Sequence, residues 1–324
     1  MSGNLRDDRR KVVVFTASGD QGSSVCRYLI EDGNWEVVGI SRNPDSPSSQ
    51  ELAKIGVKVV KGDMDDPSSY QAALEGAYGA FINADFMATY LASGMNPTIA
   101  SEAEKRHALG AVDACVRAGV KHAVYTALEG LGNETMPHYV TKRQVSEHIR
   151  QVGLPTTFLH TSRYFSNMTK FGELVKRSNA DPGASSGVES TSFVFELPVP
   201  DDCPLPCFAV EQIGAFVLAA LNEPDKYIWK DIQACGEILT TAQIAQVVSE
   251  LSGKTIDTLH LSEEAFYSDE TKAKCTEELW LQYRIFYERT FNRDPAQSRQ
   301  VVPDVWDCRQ WALNNRDLKE MLNF

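Results

Sequence analysis

Residues 11–25, KVVVFTASGDQGSSV, constrain the fold of this chain more than any other stretch. Residues 12–15 are a continuous apolar run, β-branched and aromatic, the pattern of a parallel strand covered on both faces. Residues 16–22 break it with small and polar side chains. An amphipathic helix follows, with Val25, Tyr28, Leu29 and Ile30 at inward-facing spacing. A strand that runs through small residues into a helix N-terminus makes a ready anion site, because orphan backbone N–H groups and the helix dipole both favour a phosphate there. Dinucleotide loops carry glycines at a spacing of three. Here Thr16 stands first, ahead of Gly19 and Gly22, so the stretch reads equally as a nucleotide loop or a tight strand-to-helix turn.

The same alternation continues. Strands are expected at 36–41, 57–61, 79–84, 120–128 and 156–161, with helices at 47–55, from the Asp66-Pro67 start to Gly76, at 101–118 and at 139–151. Pro67 is expected at the first helical position and Gly119 at a helix C-cap. Residues 85–100, with Gly94 and Pro97, show no period and read as a loop. Strands alternating with helices predict an α/β fold, a Rossmann-type doubly wound parallel sheet over residues 1–165. Such sheets bind ligands beyond the carboxyl ends of their strands, which singles out residues 16–22, 41–44, 63–65, 83–87, 126–130 and 162–167. After Asn167 the alternation decays. Residues 166–324 predict a smaller mixed α+β lobe on the substrate or partner side, with some elements returning to the first domain. Residues 178–191 are expected to be a surface loop, and 272–290 one aromatic-rich helix.

A formal charge of −12 argues against direct nucleic-acid binding, which needs a basic footprint. The polar start, MSGNLRDDRRK, is followed by only four apolar residues, and no run is long enough to span a membrane. Seven scattered cysteines suit a reducing compartment, which predicts a cytoplasmic or also nuclear protein. Cys203 and Cys207 are the one close pair. No second pair of ligands accompanies them, so no metal is expected.

Arg42 directly follows the second strand. An acid there would accept hydrogen bonds from a ribose 2′-OH, whereas an Arg can pair with a 2′-phosphate, favouring NADP(H) over NAD; a solvated loop Arg is the other reading. Asp63 and Met64 close the third strand, where they can flank an adenine or simply make a turn. Thr126, His138, Tyr139 and Lys142 come nearest to a catalytic set. Short-chain dehydrogenases place a Tyr four residues before the Lys, so that the ammonium lowers the phenol pKa. Here His138 occupies that place and Tyr139 lies one residue closer, which leaves an ordinary helix start as an equal reading.

The segments TASGDQGSSV, SRNP, KGDMDD, AFINADF, VYTALEG, HYVTK and RYFSNM occur in the order and spacing of NmrA-like proteins, atypical relatives of the short-chain dehydrogenases, and the resemblance covers nearly the whole chain. It implies that Thr16, Ser18, Gly19, Gln21 and Gly22 line a pyrophosphate loop, and that Arg42 and Asn43 face the 2′-phosphate of NADP(H). It places Asp63 and Met64 at the adenine, Asn83 and Ala84 on the nicotinamide side, Lys142 at the ribose, and Tyr164 and Asn167 over the nicotinamide. Three positions depart from the family pattern. Thr16 replaces a glycine and is tolerated if φ there is negative. Asp20 puts an acid beside the loop, and Ser46 stands where some relatives carry a second cation. Two functions follow from the resemblance: a redox-sensing regulator that contacts a transcription factor or enzyme, or an NADPH-dependent reductase of a small carbonyl or enone. In the second, Lys142 with Tyr139 or His138 handles the proton and Thr126 orients the substrate oxygen.

Overall fold

Each apolar run expected to pair in a sheet does so. A computed structural model describes residues 9–129, 136–177, 192–275, 277–289 and 293–324. β1 (Arg10–Val14), β2 (Trp35–Ser41), β3 (Lys58–Lys61), β4 (Gly79–Ile82), β5 (His122–Ala127) and β6 (Thr156–His160) form one sheet in the order β6-β5-β4-β1-β2-β3. Every neighbouring pair among these six is parallel. A seventh strand, Asp231–Gln233, lies beside β6. The chain divides into two units, Met1–His160 with Glu211–Ile232, and Thr161–Val210 with Gln233–Phe324.

In the first unit the crossovers are α1 (Asp20–Asp32), α2 (Pro47–Lys54), α3 (Ser68–Leu74), α4 (Phe86–Ala92), α5 (Pro97–Ala118) and α6 (Pro137–Val152). Val13, Phe15, Ile40, Ile82, Tyr125 and Phe158 from the sheet are buried in one cluster with Ala108, Ala111, Val112 and Cys115 of α5 and Val145 and Ile149 of α6. Burying each large apolar side chain contributes about 1.5–3 kcal/mol, so this seam between sheet and helices is what fixes α5 and α6 on the sheet. Gly119 ends α5 with φ 69°, the left-handed conformation that a C-cap glycine supplies.

Three local readings change. Residues 85–100 are not a loop. Asp85 caps α4 by accepting the Ala88 N–H, and Asn96 caps α5 by accepting from Thr98 and Ile99, with Pro97 at the first helical position. Pro67 is the N-cap of α3 rather than its first helical residue, and Asp66 Oδ1 accepts the Ser68 N–H. The aromatic-rich stretch 272–290 belongs to two helices, Asp269–Lys274 and Glu277–Tyr287. The expected surface loop at 178–191 lies outside the described residues.

The second unit holds two small three-stranded sheets. In one, Leu205–Phe208 pairs parallel with Arg163–Tyr164 and antiparallel with Glu237–Leu239. In the other, Ser192–Phe195 pairs parallel with Thr255–Thr258 and antiparallel with Leu174–Lys176. Its core gathers Phe165, Phe195, Phe266 and Trp311, with Phe165 stacked on Trp311 at 5.5 Å. His260 joins two segments of this unit by charge. Its Nδ1 is 2.7 Å from Asp201 Oδ2 and its Nε2 is 2.8 Å from Asp257 Oδ1, and Arg177 contacts Asp257 from a third segment at 2.9 Å. With a carboxylate on each ring nitrogen, the imidazolium is favoured and the His260 pKa is raised, first by Asp201 and then by Asp257.

A raised folded-state pKa contributes stability that is fully present below the unfolded value, about 6.5, and is lost as pH rises through the folded value. His260 sits at φ 48°, a conformation that Asn adopts readily, so His260→Asn removes the charge without adding backbone strain. Melting curves should show the variant less stable than the parent near pH 6, by at most about 1 kcal/mol because the ring is largely exposed, and equal to it near pH 9. A difference that grows with pH would rule out the imidazolium as its source.

Candidate functional site

The β1–α1 turn is built between the two strands that flank β1. Phe15 donates its N–H to Phe81 O at 3.0 Å, on the β4 side, and Ala17 donates to Ile40 O at 3.0 Å, on the β2 side. The chain therefore leaves the sheet where the strand order reverses, the position at which open α/β sheets hold ligands. Thr16, between these two anchors, is left-handed at φ 50°, not at the negative φ that a threonine there favours. Its carbonyl accepts the Gly19 N–H at 3.0 Å. A Cβ on Gly22 would lie 2.3 Å from that same oxygen, and one on Gly19 would lie 3.3 Å from it. Both glycines thus let the loop close tightly on the first turn of α1. The α1 ladder begins with Ser23 N–H to Gly19 O at 2.8 Å, which leaves the preceding N–H groups to other acceptors. Small residues, a close backbone approach and the N-terminus of a 13-residue helix that has no side-chain cap at Gly19 fit a pyrophosphate. Asp20 is the first residue of α1 and is exposed, so an acid shares this end of the helix dipole.

The loop is tied to the neighbouring strand ends. Asn83, just past β4, donates to Thr16 Oγ1 at 3.5 Å, and Thr126 of β5 donates to Gln21 Oε1 at 2.9 Å. Thr126 is only 3% exposed, so its hydroxyl serves the loop. On the other side, Ser18 Oγ is 3.5 Å from Ser41 Oγ, and buried Ser41 is 2.9 Å from Ser49 Oγ. Arg42 follows as an exposed guanidinium with no ion pair among the described residues. Asn43 closes a small turn by accepting the Asp45 N–H on its side chain at 3.1 Å. Ser46 is the N-cap of α2, accepting from Ser49. Beyond β3, Asp63 is exposed and accepts the Asp65 N–H, whereas Met64 is buried in the apolar cluster of the sheet.

Of the expected catalytic set, Lys142 pairs with a residue that sequence reasoning missed, Glu104. Lys142 Nζ lies 3.1 Å from Glu104 Oε1 of α5, 3.4 Å from Ala84 O and 5.3 Å from the centre of the Tyr125 ring. Glu104 is 1% exposed, and Thr141 donates its hydroxyl to the other carboxylate oxygen. Burial and the Glu104 carboxylate together push the Tyr125 phenol well above its ordinary range, so it stays neutral beneath the ammonium. Tyr139 is buried, and the half-buried His138 ring lies between Phe86 at 5.3 Å and Tyr139 at 4.8 Å. A signal for Glu104 existed: it precedes Ala108, Ala111, Val112 and Cys115 at helical spacing and so falls on the buried face of α5. Tyr164 and Asn167 belong to the second unit, Tyr164 paired with Phe208 and Asn167 opening the helix Asn167–Lys170. Among the described residues no group of three or more His, Cys, Asp or Glu could hold a metal ion, and no helix is long and apolar enough to cross a membrane.

The sequence profile of the NmrA-like family matches residues 8–304. An NmrA-like family domain-containing protein of Dictyostelium discoideum is 25% identical over 258 residues, 76% of this chain and 79% of that protein. An NmrA-like family domain-containing oxidoreductase of Aspergillus flavus is 26% identical over 259 residues, 75% and 74% of the two chains. Among solved structures, NmrA, a negative transcriptional regulator, in complex with NADP superposes with a TM-score of 0.75 at 20% identity, covering 98% of each chain. The same regulator in complex with NAD gives 0.76 at 20% identity, again over 98% of each. The Citrobacter triphenylmethane reductase with NADP(H) gives 0.68 at 19% identity, over 94% of this chain and 99% of that one. At these identities the structures show a shared fold.

The tight closure of the loop is testable at Gly22. Since a Cβ there meets backbone and not a movable side chain, Gly22→Ala should lower stability by about 1–3 kcal/mol, read as a fall in the urea midpoint. An unchanged midpoint would mean that the loop can move away from α1 freely.

Proposed function

The chain belongs to the NmrA-like family, and from that premise we propose that it binds NADP(H) through the β1–α1 loop and acts as a redox-responsive regulator by protein contact, without turning over a substrate. The observation that carries this reading is the state of the acid–base candidates. The Lys142 ammonium is held in a buried pair with Glu104, Thr126 is bonded to Gln21, and Tyr139 is buried. A general acid must reach the reacting atom, and these three groups are committed to the fold. Binding is supported separately. The first turn of α1 and the Thr16–Gly22 loop suit a pyrophosphate, and the exposed, unpaired Arg42 suits a 2′-phosphate, to which a guanidinium donates two parallel hydrogen bonds. When bound, the dinucleotide supplies a hydride-accepting or hydride-donating ring whose charge differs between its two redox states.

A reductase is the second reading. His138 favours it, since it is only half buried and stands one helical turn before Lys142, and a 26% identical relative is named an oxidoreductase. One set of measurements separates the two. Titration with NADP, NADPH and NAD should give saturable binding, and Arg42→Ala should weaken NADP by about tenfold or more while leaving NAD nearly unchanged. Equal losses would show that Arg42 does not read the 2′-phosphate. A panel of aldehydes, ketones and enones should leave NADPH unconsumed. Consumption that disappears in Lys142→Ala would overturn the regulator reading in favour of the reductase.

A further inference from the structure

We propose that Glu104 sets the preference between the oxidised and reduced dinucleotide by cancelling the charge of Lys142; the inference rests on the binding reading above. The Lys142 ammonium is fixed at the carboxyl ends of β4 and β5, 3.4 Å from the carbonyl of Ala84 and above the Tyr125 ring. That is the strand end expected to border the nicotinamide. The oxidised nicotinamide ring carries a positive charge and the reduced ring carries none. A bare ammonium beside it would therefore weaken the oxidised form alone. Glu104 removes that bias. Its carboxylate is 3.1 Å from the ammonium, and it is held from the far side by the Thr141 hydroxyl. Both side chains are buried, so water and salt do little to screen either charge. The pair presents a dipole to the site in place of a net charge. Glu104 acts through Lys142 and is a positioning residue, not a catalytic one.

The consequence is a pair of shifts with opposite signs. Glu104→Gln keeps the shape and leaves an uncompensated cation, so NADP should weaken relative to NADPH. Lys142→Met leaves an uncompensated carboxylate and should shift the ratio the other way. For one unscreened charge within reach of the ring, each shift should be about fivefold in the ratio of dissociation constants. The double variant Glu104→Gln/Lys142→Met carries no charge at either position and should return to the parent ratio. Each ratio is measured by titrating the folded protein with NADP and NADPH, with thermal melting in parallel. A purely structural role would lower the melting temperature and weaken both forms equally. Shifts of the same sign in the two single variants, or ratios within twofold of the parent in both, would overturn the proposal. If only one single variant folds, the sign of its shift decides. In the double variant a changed ratio counts against the proposal. Absence of binding by the parent protein would instead overturn the dinucleotide reading on which the proposal rests.

Discussion

The approach of the Thr16 carbonyl to the first turn of α1 is the contact on which the candidate site depends. It exists because the chain is pinned to β4 through Phe15 and to β2 through Ala17 within three residues. Thr16 has to turn between those anchors, and it does so in the left-handed region. The strain of a β-branched residue there, of order 1–3 kcal/mol, is held by the two strand contacts and by the absence of side chains on Gly19 and Gly22. Asn83 steadies the Thr16 hydroxyl, and Thr126 steadies Gln21 in turn. The loop is thus set by three strand ends at once, and the N–H groups of α1 inherit that placement.

The Glu104–Lys142 pair is a second constraint of a different kind. Two charges this buried are costly to desolvate, and a pair of apolar side chains would hold α5 to α6 at least as well. Its retention of charge is therefore poorly explained by stability. Removing one partner alone leaves an uncompensated charge in the core and costs about 3–5 kcal/mol, so neither residue can change by itself without penalty. Thr141 donates to the other carboxylate oxygen, and the Ala84 carbonyl accepts from the ammonium.

How much of this was legible follows from the length over which each signal acts. Residues 12–15 and 36–41 announced themselves because parallel strands buried on both faces are continuous apolar runs. Gly119 was readable because a helix C-cap is a local chemical event. The helix Phe86–Ala92 was not, since it is only seven residues long and buries just Phe86 and Tyr90, too few positions to establish a period. Its cap, Asp85, and the Asn96-Pro97 start of α5 were local signals passed over because Gly94 and Pro97 suggested a loop. The conformation of Thr16 is imposed by two hydrogen bonds to other strands, which no local pattern carries. The pairing of Glu104 with Lys142 needs α5 and α6 side by side, which no local pattern carries, although Glu104 shares the helical face of Ala108, Ala111, Val112 and Cys115. In the second unit the strands have two to four residues; the sequence marks short strands near 192–197 and 206–209, found at Ser192–Phe195 and Leu205–Phe208, while those of two or three residues are too short to show a pattern.

An acidic chain proposed to bind a polyanion would have to do so at short range. The net charge of −12 repels a dinucleotide phosphate only across distances within a Debye length, about 8 Å at physiological salt. Within that distance the balance is local. β2 and β3 are in register at Ser41 and Lys61, so Arg42 emerges beside the acid-rich turn that holds Asp63, Asp65 and Asp66. Asp65 is drawn away by Arg106 at 2.5 Å and His107 at 2.9 Å, whose hydrogen bonds hold its carboxyl below the usual range. That leaves Arg42 as the guanidinium at this corner with no ion pair among the described residues. At the other end of the loop Asp20 stands at the positive end of α1, where its charge would compete with a phosphate for the same N–H groups. On the proposed reading, the balance between these two residues, one supplying charge and one opposing it, would set how tightly the loop holds an anion.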